Sequence, residues 1–419
     1  MKKIAVVGSG ISGLACAHYL QEAYEVHLFE KNDYLGGHTA TKRVEVDEGV
    51  FNIDTGFIVF NDWTYPNFNR LLKELGVDYL NTDMGFSVSC DKSGLEYSGE
   101  SVGTLFAQKR NLFKPKHWKM IFDILKFNRE SKERLEAGSL DESITLGDYV
   151  KELGLSQTFI EKYLIPMGAA IWSSGLQDMY DFPALYFVRF FKNHGLLNVN
   201  DRPQWSVVKG GSKSYVDKLI ESARFVIHYN SAVDSVHFDD SEVQLQVNGE
   251  THKFEHVILA CHSDEALELL AKPTDAQSQV LGNLEYQNNE VVLHTDTSLL
   301  PRNKTTWSSW NYRLKEGDSD RATLSYSMNI LQRLTCKTQF VVTLNDTQSI
   351  DPNQILGSYQ YQHPVYNRGS LESQSKRDSI NGVGNIWFCG AYWYAGFHED
   401  GLRSALDVVN GLGVNIETL

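Results

Sequence analysis

No stretch of this chain approaches the ~20 consecutive apolar residues that a membrane-spanning helix requires, so any membrane contact is expected to be peripheral. Cysteine is scarce and scattered. Cys16, Cys90, Cys261, Cys336 and Cys389 include no Cys-x-x-Cys pair and no histidine at zinc spacing, which argues against a disulfide scaffold and a structural zinc. Positive charge is in deficit, with 39 Lys plus Arg against 53 Asp plus Glu and a formal net charge of −14. That balance opposes attraction to phosphate backbones, and nucleic acid is not expected as a partner. Repeats, low-complexity tracts and long Pro, Gly or Ser linkers are missing too, so domains are expected to be joined by compact crossings.

What remains is a globular composition of 419 residues, 42% hydrophobic and 22% charged, long enough for two packed domains. The opening Met1-Lys2-Lys3 and the apolar run to Cys16 imitate a secretion signal or a lipid-anchored cysteine. Gly8, Gly10 and Gly13 interrupt that run, and a cytoplasmic, reducing compartment is expected instead.

Those glycines have a better use. Lys3 to Val7 is a short β-branched run, Gly8-Ser9-Gly10-Ile11-Ser12-Gly13 a glycine turn, and Leu14, Ala17, His18 and Leu20 follow at helical spacing. In such a turn the first glycine makes the bend, the second lets the backbone approach a pyrophosphate, and the third lets helix and strand pack closely. The helix amino terminus then faces the phosphates. A second strand, Glu25 to Phe29, ends at Glu30, where a carboxylate accepts hydrogen bonds from ribose hydroxyls and disfavours the 2′-phosphate of NADP. The continuation through Lys31, Gly36, Gly37 and His38 adds a second glycine pair, a pattern that resembles flavoproteins rather than nicotinamide dehydrogenases.

With these residues the chain resembles the FAD-dependent superfamily of amine oxidases, phytoene desaturases and protoporphyrinogen oxidases. The resemblance recurs in Phe51 to Gly56, in Lys209-Gly210-Gly211-Ser212, in Ile227 to Val236, in Val257 to Ala260, and in Ile386 to Gly390 followed by Gly396 to Ala405. It is nearest to compact bacterial FAD-dependent oxidoreductases encoded beside cyclopropane-fatty-acyl-phospholipid synthase-like enzymes, an association with lipid chemistry. The resemblance implies FAD contacts at Gly8, Gly10, Ile11, Ser12, Gly13, Glu30, Lys31, Gly36, Gly37, His38, Thr55, Gly56 and Phe57. It implies others at Val233, Ala260, Gly390, Ala391, Asp400, Gly401 and Leu402, the last three opening a helix whose dipole faces the flavin ring. Two departures stand out. The lysine that amine oxidases carry on a substrate-domain strand is missing from Glu290 to His294, and Ala391 stands where many relatives have an acidic residue.

The expected fold is α/β, or α+β in two domains: a Rossmann-like FAD-binding domain with a β-meander (1–62, 205–275 and 378–419), interleaved with a substrate domain of mixed sheet and helices (63–204 and 276–377). The meander rests on Glu242 to Val247, an Asn248-Gly249 turn and Glu250 to His256. Segment 105–136 runs against the overall charge, with nine Lys plus Arg against four acidic residues. Its stretch Lys116 to Arg134 spaces Trp118, Ile121, Phe122 and Leu125 along one helical face and Lys119, Asp123, Lys126 and Glu130 along another. That aromatic face either packs on its own domain or meets an anionic membrane surface.

FAD supplies the electron chemistry, so few catalytic side chains are needed. No second Gly-x-Gly-x-x-Gly suits NAD(P)H, which leaves the electron acceptor open between oxygen, a quinone and a protein carrier. Candidates for proton handling are His398, His294 and Tyr394; Tyr392, Trp393 and Trp172 are candidate channel walls, with core packing as the alternative for each ring. The leading expectation is oxidation of a carbon–carbon bond in a hydrophobic substrate such as a fatty acyl chain, by hydride transfer to flavin N5. An amine oxidase, and a flavin-containing lipid-binding or isomerase protein without net redox, stay open beside it.

Overall fold

The computed structural model describes residues 1–239, 242–315 and 323–416. The parts of the expected domain ranges at 240–241, 316–322 and 417–419 lie outside the described residues. The fold is α/β with a meander and a mixed sheet, the class expected.

At its centre lies a five-stranded parallel sheet in the order Val226–His228, Glu25–Phe29, Lys3–Val7, His256–Leu259, Ile386–Phe388. Ile4, Ala5 and Val6 are wholly buried, because strands lie on both sides of Lys3–Val7 and its two faces are covered. A continuous apolar run is what such a position demands, each buried Val or Ile contributing roughly 1.5–3 kcal/mol. One face carries the helices Ile11–Leu20 and His398–Gly411; the other is covered by the antiparallel meander Val233–Asp239, Glu242–Val247, Glu250–Phe254. Asn248 (φ 51°) and Gly249 (φ 80°) make the expected left-handed hairpin turn. The segment Ile227 to Val236 is not one strand: it breaks after His228, and Val233 opens the meander in a different sheet.

A seven-stranded mixed sheet stands beside this unit, in the order Ile355–Pro364, Tyr286–His294, Val341–Leu344, Leu324–Ser327, Trp310–Leu314, Phe86–Cys90, Leu95–Ser98. Helices from residues 115–193 bury the largest apolar cluster against it, reaching Tyr312 and Leu324 on the sheet and Phe397 at the opening of the last helix. Asp54, at the end of the strand Gly49–Asp54, ties the central glycine pair in place: both its oxygens accept the Ser212 N–H (2.9 and 3.0 Å). Among the described residues no helix is long and apolar enough to cross a membrane.

Candidate functional site

Ligands of parallel α/β sheets sit beyond the carboxyl ends of the strands, and the sequence-singled residues gather there. Gly8 follows Val7, Glu30 follows Phe29, Ala260 follows Leu259, and Gly390 lies just past Phe388. The Ala260 N–H donates to Val7 O (2.8 Å), and a Cβ on Gly8 would stand 3.0 Å from Ala260 O. A Cβ on Gly13 would stand 1.9 Å from Gly8 O, so only glycine allows the helix to rise this close to the strand. Gly10 differs: among the described residues a Cβ there meets nothing within 4 Å.

The second glycine pair closes on the first. Gly36 N–H donates to Ser9 O (3.0 Å), and Gly37, at φ 56°, lies so near that its Cβ would stand 3.1 Å from Gly10 Cα. Glu30 is buried and accepts from Ser9 N–H (3.1 Å), Asn32 N–H (2.9 Å) and the Asn32 amide (2.8 Å). Next to it, Ser231 N–H donates to Glu30 O (2.8 Å), which brings the turn before Val233 to the same end. Lys31 forms the outer lip, paired with Glu265 at 2.8 Å.

The opposite end is built by the last helix. Ser12 Oγ donates to Gly401 O (2.8 Å), and a Cβ on Gly401 would stand 2.7 Å from Ile11 and 3.8 Å from the Ala391 methyl. Two helix openings, at Ile11 and His398, therefore converge on one corner, where their first-turn amides lack intrahelical acceptors. Gly390 N–H donates to Ser404 Oγ (2.8 Å) and Leu402 is wholly buried, which fix this helix against the strand. Asp400 accepts the Phe397 N–H (2.9 Å); burial lifts its carboxyl to about 6, opposed by that bond and by Arg403.

Between the two ends runs a wall of rings. Phe57 N–H donates to His38 O (2.8 Å) and Thr55 N–H to Ala40 O (2.9 Å), and Gly56 lies so close that its Cβ would stand 2.1 Å from His38 O. His398 stacks on Phe57 at 3.7 Å and shares a hydrogen bond with Tyr215 OH (2.9 Å), which meets Thr39 Oγ1 at 2.7 Å. His38 faces His262, Tyr361 and His363 with ring centroids 5.8, 5.4 and 5.8 Å away, and its buried Nε2 has no hydrogen-bond partner among the described residues. Burial, helped by neighbouring histidines, lowers His38 to about 3, His398 to about 3 and His363 to about 4. At neutral pH these imidazoles are uncharged, and His398 offers a hydrogen bond rather than a ready proton.

Two candidate catalytic residues lie elsewhere. The cleft is met by the first half of the strand Tyr286–His294: Tyr286 stacks on His262 at 4.3 Å, and Asn289 bonds His363 at 3.1 Å. His294 closes that strand about 25 Å further along, wholly buried, bonded to Thr343 Oγ1 (2.8 Å) and accepting Asp296 N–H (3.1 Å). Tyr394 turns its phenol outward to Asp407 (2.6 Å) beneath Arg403, 4.0 Å from its ring; only its carbonyl faces inward, held by Gln374 (2.6 Å) and Tyr186 (3.1 Å). Tyr392, Trp393 and Trp172 lie buried in the apolar clusters. The sequence reading missed His262, Tyr215, Tyr361 and His363. The last two alternate with Tyr359 along one strand at period two, and His262 lies just past the end of a parallel strand; both signals were present.

These features fit FAD: an open approach at Gly10, an acidic strand end, two converging helix openings and an orphaned imidazole nitrogen beside them. They define the class of dinucleotide-binding flavoproteins. The sequence profile of the flavin containing amine oxidoreductases matches residues 11–412, and the chain belongs to that family. Membership of that family implies flavin as the cofactor. Among curated proteins it is similar to a 1-hydroxycarotenoid 3,4-desaturase of Flavobacterium sp. (strain P99-3), 35% identical over 113 residues. That match covers 27% of this chain and only 21% of the desaturase, about a fifth of its length. Among solved structures it is similar to a CLA-producing fatty acid isomerase from P. acnes (TM-score 0.69, 13% identity, 98% of both chains). Cyclohexylamine oxidase from Brevibacterium oxydans IH-35A gives a TM-score of 0.67 at 15% identity, over 98% of this chain and 99% of that one.

Proposed function

We propose that the protein oxidises a carbon–carbon bond of a hydrophobic substrate, most simply a fatty acyl chain, removing two hydrogens from adjacent carbons. The observation that carries this reading is the uncharged ring wall: His38, His363 and His398 held neutral by burial, and no lysine on the strand Tyr286–His294. Such a surface, half-buried and rich in rings, orients an apolar chain by packing, with few charged anchors. FAD, when bound, supplies the two-electron acceptor. The residues from Gly8 to Leu402 named above would hold it, within ranges 1–62, 205–275 and 378–419; ranges 63–204 and 276–377 would shape the substrate room. His398, positioned by Tyr215 and Phe57, is the remaining candidate for holding a substrate or cofactor polar atom. Similarity to a carotenoid desaturase and a fatty acid isomerase supports a lipophilic substrate. With that substrate goes a peripheral contact on the cytoplasmic face of an anionic membrane, through residues 105–136.

The test is anaerobic mixing of the flavin-loaded protein with phospholipid extract and, separately, with a panel of amines, following the visible flavin band. Bleaching by lipid, with an acyl chain two hydrogens lighter by mass spectrometry, is the expected result. Bleaching by amines alone overturns the reading in favour of amine oxidation. An acyl product of unchanged mass, formed without an acceptor, replaces it with isomerisation.

A further inference from the structure

The long helix Pro115–Glu136 is mounted with its aromatic face outward. Its buried positions are His117, Met120, Asp123, Phe127, Asn128 and Ser131, whereas Trp118, Phe122 and Leu125 are 39%, 59% and 48% exposed. Polar bonds fix this rotation: His117 to Leu105 O (3.0 Å), Ser156 N–H to Asp123 (2.9 Å) and Ser131 to Tyr149 OH (3.1 Å). Of the expected face, Ile121 is half-buried and Trp118 also meets Phe106 at 4.9 Å, so the face packs in part on its own domain and leaves Phe122, Leu125 and the outer part of Trp118 exposed.

The exposed rings continue into the turn before the helix. Phe113 is 87% exposed, the most of any large apolar side chain among the described residues, with Leu112 beside it at 44%. Trp118 Nε1 donates to Leu112 O (2.9 Å), and its ring lies 6.3 Å from Phe122, so turn and helix present one surface. Lys109, Lys114 and Lys116 flank these residues in sequence, exposed and without an ion pair among the described residues, in a chain of net charge −14. Exposed rings flanked by exposed lysines match an anionic bilayer, where rings sit at the headgroup boundary and lysines meet phosphates. The remaining acidic surface is repelled, which gives the contact one orientation. On its inner side the same helix contributes Met120 and Phe127 to the cluster that contains Phe190, and Phe190 stacks on Phe397 at the opening of the last helix (5.0 Å).

We infer that the surface formed by Leu112, Phe113, Trp118 and Phe122 with Lys109, Lys114 and Lys116 docks the protein on anionic phospholipid. The inference rests on the hydrophobic-substrate reading only for its purpose; the surface itself is tested without turnover. Flavin-loaded protein is floated with vesicles of phosphatidylcholine alone and of phosphatidylcholine mixed with phosphatidylglycerol. Binding to the mixed vesicles only, weakening with salt, is the expected result. Lys114→Gln with Lys116→Gln should weaken partition about 25-fold, each lysine being worth about fivefold. Phe113→Ser should weaken it further with the flavin spectrum unchanged. Wild type that ignores mixed vesicles at low salt, or variants that bind as wild type does, overturn the inference, as does concentration-dependent dimerisation abolished by Phe113→Ser. Oxidation of detergent-dispersed acyl substrate by protein that ignores vesicles would sink the docking surface and leave the substrate reading standing.

Discussion

Replacing Gly10 by alanine separates the cofactor from the fold. Gly10 has φ −63° and ψ 178°, a conformation alanine adopts without strain, and a Cβ there meets no atom of the described residues within 4 Å. Alanine restricts the unfolded chain, which stabilises by about 0.4–1 kcal/mol, but it caps a helix less well than glycine by a similar amount. The two effects offset, and the apoprotein should unfold within about 1 kcal/mol of wild type. The methyl enters the space a pyrophosphate needs. FAD at 100 times its Kd stabilises wild type by about 2.7 kcal/mol, and losing that gain requires a Kd weaker by about 100-fold or more. Fluorescence titration of apoprotein with FAD, with thermal unfolding with and without it, measures both quantities. Gly13→Ala is the contrast. Its methyl would stand 1.9 Å from a backbone oxygen, and the apoprotein itself should lose about 3 kcal/mol. A Gly10→Ala protein that binds FAD as wild type does refutes the placement of the cofactor at this turn.

Tyr215→Phe removes the hydroxyl shared by His398 and Thr39; leaving these buried groups unpaired should cost about 1–3 kcal/mol in urea unfolding of the apoprotein, and a loss below about 0.5 kcal/mol would show that the bond is idle. Burial raises Glu399 from 4.5 to about 7 although it accepts the Asn67 and Phe68 N–H groups. Its folded form therefore binds the proton more tightly than the unfolded chain, so its stabilising contribution is complete below 4.5 and disappears as pH rises through about 7. The melting temperature of wild type minus that of Glu399→Gln should fall between about pH 5 and about pH 8, by an amount equivalent to at most about 3 kcal/mol, and a flat difference would contradict the shift. Phe122→Ser should change stability in water by less than about 0.5 kcal/mol, whereas Phe127→Ala, in the core, should cost about 3–5 kcal/mol; equal losses in denaturant unfolding would contradict the outward face.

The parallel sheet and its glycine turn were legible because each residue there answers to a local rule. Gly8, Gly10 and Gly13 obey turn and packing geometry, Glu30 the strand end, Asn248-Gly249 the hairpin. The ring wall was not legible, because it joins His38, His262, His363 and His398, whose meeting depends on where the edge strand Ile355–Pro364 lies against the parallel sheet. No local pattern encodes that distance. His294 failed for a related reason: a strand's residue types identify the strand, but which end reaches the cleft is set by register, and here Tyr286 reaches it. Tyr394 failed at the level of rotamer, its ring drawn outward by Asp407 and Arg403 on the next turns of the last helix.

Helical periodicity located the long helix and its apolar stripe, but periodicity alone does not say which stripe faces inward. Burial of an apolar ring is worth roughly 1.5–3 kcal/mol, so exposing Trp118, Phe122 and Leu125 forgoes several kcal/mol out of a typical domain stability of about 5–15 kcal/mol. Turning the helix to bury them would strip Asp123 of the Ser156 N–H and Ser131 of Tyr149, each a buried polar loss of about 1–3 kcal/mol, with a carboxylate at the upper end. Turning would also expose Met120 and Phe127, both wholly buried, at about 2–5 kcal/mol for each large side chain taken from the core, so in water the inward bonds and side chains together outweigh the outward ones. On the docking inference, an anionic bilayer adds burial for Trp118, Phe122 and Leu125 to a rotation that the inward contacts already fix.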